Sequence, residues 1–236
     1  MLVATGPDHN DLRHLLSEAA RLKEAHARRV PAHSLQGRVV GMVFEKPSLR
    51  TRVSFESGVA QLGGTALYLP GNEVGLGWRE SLADFARTIS NYVDALVLRV
   101  FRHETLDAVA RAGSIPIING LSDWSHPCQG LADVLTVREL FGTETGRTVA
   151  FVGDGNNVAR SLAVGCGRLG VRFVLACPVG YGFDDKYLQH SPVRAILSRM
   201  VKNLLAIYSK MDEPVKTARF TTLIEILGGE PREEGL

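Results

Sequence analysis

From Asp8 to Arg29, apolar residues recur every three or four positions, and Leu12, Leu15, Leu16, Ala19, Leu22 and Ala25 line one side of a predicted amphipathic helix. The period then changes. Val39, Val40, Met42, Val43 and Phe44 form a β-branched, apolar run that reads as a buried strand, and Val53, Val59, Ala60 and Leu62 suit a helix after it. Gly63-Gly64 ends that helix, and Thr65 to Leu69 predicts a second strand. Pro70 to Trp78 is a Gly-rich connection, after which Ser81 caps a helix running through Val93, with Leu82, Phe85, Ala86, Ile89 and Val93 inward. The alternation continues with a strand from Ala95 to Val100, a helix from Glu104 to Ala112 and a strand from Ile115 to Ile118. A turn-rich loop from Asn119 to Pro127 leads into a helix from about Gln129 to Phe141.

Strands alternating with helices predict an α/β protein, a parallel sheet with helices on both faces, whose ligands gather at the carboxyl ends of the strands. The polar break Gly142 to Gly146 suggests a boundary. A first domain is expected over residues 1–142. Residues 147–236 would form an incomplete second α/β domain, with strands from Thr148 to Val152 and Arg172 to Ala176. Two strands make a thin sheet to bury, so this half is expected to be unstable alone or to recruit a partner. Past about residue 182 the pattern offers an amphipathic helix near Val193 to Tyr208, a breaker at Pro214, another helix near Thr221 to Leu227 and a charged end.

With 236 residues, 45% of them apolar, the chain can bury a substantial core. Its 27 basic and 25 acidic residues balance to +2, which argues against a nucleic-acid partner. Cys128, Cys166 and Cys177 are far apart, and His9, His14, His26 and His33 scatter without ligand spacing, so neither a disulfide framework nor a metal site is expected. The start has no basic region ahead of an apolar core, and no apolar run approaches membrane-spanning length. A soluble, cytoplasmic protein is expected.

The candidate chemistry centres on the turn after the first strand. Pro47 disfavours helix at Lys46 and holds the helix start back to Ser48, which can serve as N-cap. Unpaired N–H groups there, with the Ser48 and Thr51 hydroxyls and the Arg50 and Arg52 guanidinium groups, suit phosphate or another tetrahedral anion. Caps and solvated charges would give a similar composition. Arg99 ends the third strand, where it could be a simple strand-end charge, and His126 precedes Pro127, where it could be a turn residue. In the second half, Gly153-Asp154-Gly155-Asn156-Asn157 is a Gly turn between strand and helix. A dinucleotide fold is the rival reading, but the third Gly of its fingerprint falls on Val158 and no acidic residue lies about twenty positions on. Asn157 could equally be a helix cap.

The run Phe44-Glu45-Lys46-Pro47-Ser48-Leu49-Arg50-Thr51-Arg52, followed by Val-Ser-Phe-Glu, closely resembles the carbamoyl-phosphate loop of the aspartate and ornithine carbamoyltransferases, and its Phe-Glu-Lys-Pro lead-in looks like the ornithine branch. The resemblance implies transfer of a carbamoyl group from carbamoyl phosphate to the side-chain amine of L-ornithine, giving citrulline in arginine biosynthesis. By resemblance, Ser48, Leu49, Arg50 and Thr51 hold the phosphate, and Arg99, His126 and Gln129 grip the carbamoyl group. Thr51, Arg99 and His126 would stabilise the oxyanion, and Arg50 the departing phosphate. Leu49 replaces the commoner Thr at a position that can act through its backbone N–H. Asn157 matches the residue that binds the amino-acid end of the substrate. No metal or organic cofactor is implied, because carbamoyl phosphate is already activated.

The resemblance covers roughly Leu12 to Tyr181. Beyond it, the Asp-x-x-x-Ser-Met-Gly segment that holds ornithine and the His-Cys-Leu-Pro segment that closes the site have no counterpart. Family members are trimers in which a neighbour's loop completes each site, and Gly75 to Glu80 looks like that loop; the position of its Gln or His falls on Gly75, with Trp78 or Arg79 as candidate substitutes. A homotrimer is expected. Other acceptors, such as aspartate or putrescine, and a non-catalytic carbamoyl-phosphate-binding remnant stay open, with a nicotinamide-dependent dehydrogenase a more distant alternative.

Overall fold

The computed structural model describes residues 9–183. The predicted helices and charged end beyond residue 183 lie outside the described residues, as does Asp8. The chain divides into two compact units, Met1–Leu135 and Thr136–Leu236.

In the first unit, α1 (His9–Ala27) precedes β1 (Val39–Phe44), α2 (Leu49–Gln61), β2 (Thr65–Pro70), the short α3 (Gly71–Val74), α4 (Leu82–Ile89), β3 (Ala95–Arg99), α5 (His103–Ala112), β4 (Ile117–Leu121) and α6 (Pro127–Phe141), which runs across the division. The four strands form a parallel sheet in the order β2-β1-β3-β4. Strand alternation sends Val43, Leu96, Leu98 and Ile117 to one face, where they pack with Phe85 and Ala86 of α4 and Leu106 and Val109 of α5. Val40, Met42, Phe44 and Val97 point to the other face and meet Val59 and Phe55 of α2. Helices therefore cover both faces, as the alternating pattern predicts.

Three elements depart from that pattern. β4 begins after Pro116, not at Ile115, because proline has no N–H for the ladder and supplies only its carbonyl, to Leu96 N at 3.0 Å. The strand accordingly takes in Asn119, which sequence assigns to the following loop and which is 2% exposed. α4 stops at Ile89, and Val93 is buried from a turn. The Gly-rich connection contains α3, whose first residue passes so near the end of β1 that a Cβ on Gly71 would sit 2.6 Å from Phe44 O and 2.7 Å from Glu45 Cα.

The second unit contains β5 (Thr148–Val152), α7 (Asn157–Arg168) and β6 (Arg172–Ala176), with the two strands parallel. Among the described residues this sheet has two strands, with Phe173 of β6 and Leu162, Ala163 and Cys166 of α7 buried. Arg138 closes the end of α6 onto the following loop by donating from Nε and Nη2 to the two carboxylate oxygens of Glu144, each at 2.7 Å. Bidentate geometry lets this carboxylate sit at 2% exposure.

The contacts at Gly71 are with backbone, which cannot swing aside. Gly71→Ala is expected to lower stability by about 1–3 kcal/mol, measured by urea denaturation; an unchanged midpoint would show that the β1 end tolerates displacement.

Candidate functional site

Ser48, Thr51 and Arg99 meet at the carboxyl edge of the first unit's sheet, with His126 near enough to feel the Arg99 charge. β1 and β3 are paired so that Phe44 lies beside Arg99. Glu45 N donates to Arg99 O at 2.9 Å, and Phe101 N donates to Glu45 Oε2 at 2.6 Å, so the chain leaving β1 is tied to the chain leaving β3. Lys46 Nζ rests 4.6 Å from the centre of the Phe101 ring. These ties hold the lead-in to α2 while Ser48 takes an extended conformation at the N-cap position, its carbonyl accepting from Arg52 N at 3.0 Å.

Ser48 caps by position but not by hydroxyl. Its Oγ–H donates to Thr51 Oγ1 at 2.9 Å instead of accepting from the helix. The N–H groups of Leu49, Arg50 and Thr51 consequently have no acceptor among the described residues, and they lie at the positive end of the helix dipole. Arg99 Nη1 also reaches Thr51 Oγ1, at 3.4 Å. An oxygen that already accepts two bonds directs its own proton outward, so Thr51 is set up as a donor. The Leu49 side chain is 78% exposed, which leaves its amide as the part of the residue facing the turn.

Arg52 departs from expectation. It forms an i,i+4 pair with Glu56 at 2.9 Å, and its Cζ lies over the Tyr68 ring, 3.8 Å from its centre. Its guanidinium is thereby held on the β2 side, and Arg50 is the cation left at the turn.

Arg99 is half-buried, and desolvation holds its guanidinium pKa below the ordinary value. Its Nε is buried without a hydrogen-bond partner among the described residues, a donor in want of an acceptor. His126 immediately precedes α6, and its carbonyl accepts from Gly130 N at 3.2 Å. Burial first, and the Arg99 charge second, hold the His126 pKa below its usual 6.5, with Asp133 opposing. At neutral pH the imidazole is therefore uncharged. Gln129 is exposed on the first turn of α6, and its Nε2 donates to Asp133 Oδ1 at 2.9 Å; the structure gives it this partner and not the Thr51–Arg99 pair.

In the second unit, the cap of α7 is Asn156, whose Oδ1 accepts from Val158 N and Ala159 N at 2.9 and 3.1 Å. Asn157 is the first residue inside the helix, so the helix-cap explanation passes to its neighbour. Gly155 is required there, because a Cβ would meet the Gly182 backbone at 2.5 Å.

Sequence reasoning missed the network behind His126, which is built from His103, Asn119, Ser122 and Ser125. The available signal was Asn119, a polar residue directly after Ile117-Ile118 in an apolar run. Among the described residues no three His, Cys, Asp or Glu side chains converge to hold a metal ion, and no helix is long and apolar enough to cross a membrane.

Oriented amides, a donor hydroxyl and guanidinium groups at the carboxyl edge of a parallel sheet define an anion-binding α/β domain. Residues 2–139 match the family model described as aspartate/ornithine carbamoyltransferase, carbamoyl-P binding domain, and residues 145–222 match the Asp/Orn binding domain of the same family. The chain belongs to the aspartate/ornithine carbamoyltransferase family. It is 40% identical over 229 residues to ornithine carbamoyltransferase of Bacillus subtilis, covering 95% of this chain and 69% of the relative. A second relative, ornithine carbamoyltransferase of Cenarchaeum symbiosum, is 47% identical over 178 residues, or 75% of this chain and 58% of that protein. The solved structure of ornithine carbamoyltransferase from Pyrococcus furiosus superposes with a TM-score of 0.75 at 44% identity, over 77% of this chain and 58% of that one. The chain thus spans 58–69% of the length of these relatives. The similarity to the second-domain model runs on to residue 222, beyond residue 182 where the recognisable motifs stop.

His126 is expected to titrate below 6.5 in the folded protein, and Arg99→Met to raise its pKa by removing the neighbouring cation. The sign carries into stability. Between the lowered folded value and 6.5 the unfolded chain binds more protons, so stability is full above 6.5 and falls on acidification until the folded value is passed. Proton resonances of the imidazole followed against pH check both; a midpoint at or above 6.5 would contradict the burial of this ring.

Proposed function

We propose that this protein is an ornithine carbamoyltransferase, transferring the carbamoyl group of carbamoyl phosphate to the side-chain amine of L-ornithine to give citrulline and phosphate, a step of arginine biosynthesis. The observation that carries the reading is the pair of bonds on Thr51 Oγ1, from Ser48 and Arg99, at the open N-terminus of α2. Residues 1–142 serve as the carbamoyl-phosphate domain and residues 147–236 as an incomplete ornithine domain.

In this reading the amides of Leu49, Arg50 and Thr51 and the Arg50 side chain bind the phosphate, and the Ser48 hydroxyl joins them once its proton swings from Thr51 to a phosphate oxygen. Arg99, His126 and Thr51 aim donors at the carbamoyl oxygen, with Gln129 on the carbamoyl nitrogen after release from Asp133. The ornithine amine attacks the carbamoyl carbon and negative charge develops on the oxygen. The intermediate then collapses with cleavage of the carbon–oxygen bond, and the proton lost by the attacking nitrogen leaves on the phosphate. Neutral His126 contributes an N–H donor that need not be desolvated as a cation. Each well-placed donor of this kind contributes about 3–4 kcal/mol to the barrier. Asn157 binds the amino-acid end of ornithine.

The assembly proposed is a cytoplasmic homotrimer in which Gly75 to Glu80 reaches a neighbour's site. Support comes from the exposure of Gly77 to Glu80, with Trp78 76% exposed, while Gly75 is buried against the Trp78 ring. Arg79 Nη1 is committed to Glu73 O at 3.0 Å, which favours Trp78 as the residue that reaches across.

The purified chain should form citrulline from the two substrates, with a rate that rises with pH because only the neutral amine attacks and an alkyl ammonium titrates near ~10.4. Thr51→Val is expected to lower kcat by about 10²–10³-fold, and Arg50→Ala to abolish calorimetric binding of carbamoyl phosphate. Binding without turnover of ornithine, aspartate or putrescine would leave a carbamoyl-phosphate-binding module; no binding would defeat the reading. In the trimer, Trp78→Ala should weaken carbamoyl-phosphate binding, while the same loss in a monomeric form would contradict a shared site.

A further inference from the structure

His126 stands between α6, which begins at Pro127, and a turn that is tied down by side-chain bonds. Ser122 and Ser125 close a reciprocal turn, Ser122 N donating to Ser125 O at 2.9 Å and Ser125 N to Ser122 Oγ at 3.2 Å. Asn119, buried in β4, braces that turn from the sheet by donating from Nδ2 to Ser125 Oγ at 2.9 Å and to Ser125 O at 3.4 Å. His103, the first residue of α5, braces it from the other side, with Nδ1 2.8 Å from Ser122 Oγ. Its backbone N–H donates to Asp123 Oδ1 at 2.9 Å, and Asp107 Oδ1 lies 3.8 Å from its Nε2. All three polar groups of Ser125, the residue before His126, are therefore engaged, and Ser122 is completely buried.

We infer that the Ser122–Ser125 turn, braced by His103 and Asn119, is the device that holds His126 beside Arg99, and that His103 and Ser122 are positioning residues for it. His103 lies outside the anion site and on a different helix. It reaches the turn through Ser122, through Asp123 and through the Trp124 ring, whose centre lies 6.4 Å from its own. The consequence for kinetics rests on the carbamoyl-transfer reading; the consequence for the His126 ring does not.

The test compares His103→Ala, His103→Asn and Ser122→Ala in the full chain, with three readouts: the ring resonances of His126 in protein carrying ¹⁵N-labelled histidine, inorganic phosphate binding, and kcat and KM for carbamoyl phosphate. His103→Ala and Ser122→Ala should shift the His126 ring resonances and lower kcat about 10–100-fold, with phosphate affinity and KM within about twofold. His103→Asn should restore both, since its amide can present a polar atom to Ser122 Oγ. Unmoved His126 resonances in both truncations, or no rescue by asparagine, would overturn the inference. A parallel fall in kcat, phosphate affinity and thermal midpoint would also overturn it, by marking general loosening. If the parent chain fails to turn over ornithine, the proposed function falls while the resonances of His126 still decide the positioning role.

Discussion

The pairing of Phe44 with Arg99 across β1 and β3 fixes where everything else in the first unit can be. Parallel strands end together, so both exits open on the same edge of the sheet, and the bond from Glu45 N to Arg99 O keeps them together for one residue more. Strand alternation then gives Arg99 the same face as Val97, the face covered by α2. A cation from one strand and a helix N-terminus from the next element are thus brought to within one hydroxyl of each other. A slip of one residue would send Arg99 to the opposite face, among Leu98 and the side chains of α4 and α5.

That arrangement explains which parts of the molecule were legible in the sequence. The strand at Val39–Phe44 and the turn after it could be read because a β-branched run, a proline and a cluster of short polar residues are all local signals. The meeting of Arg99 with Thr51, and of His126 with Arg99, is a product of topology, and from the sequence it was reachable only through the resemblance. Within the turn itself, composition misled on two points. Ser48 has the residue type of a cap but spends its hydroxyl on Thr51, and Arg52 has the charge of an anion ligand but is drawn to Tyr68 and Glu56. In both cases a partner distant in composition, though near in space, competes for the group.

The braced turn before His126 was illegible for a different reason. Serine and asparagine in a segment rich in turn formers read as loop, and nothing in their spacing distinguishes a loop that ends a strand from one that holds a side chain in place. Only the burial of Asn119 and Ser122 separates the two. The same holds for Asn156 and Asn157, adjacent and identical in type, of which one caps a helix and the other is the first residue inside it.

The diversion of Arg52 onto Tyr68 has a consequence for electroneutrality. Arg52 is paired with Glu56 and Lys46 rests on the Phe101 ring, so with His126 uncharged the cations at the turn that neither a carboxylate nor an aromatic ring holds among the described residues are Arg50 and Arg99, and a phosphate group carries close to two negative charges above a second pKa of about 6. Two such cations would nearly balance one phosphate group. Under the proposed transfer they would balance the arriving carbamoyl phosphate and the departing inorganic phosphate alike, so the turn would meet almost the same charge at both ends of a cycle. A third fixed cation would tip that balance toward retention. By stacking Arg52 on the Tyr68 ring, the fold keeps the turn close to neutrality with such an anion in place.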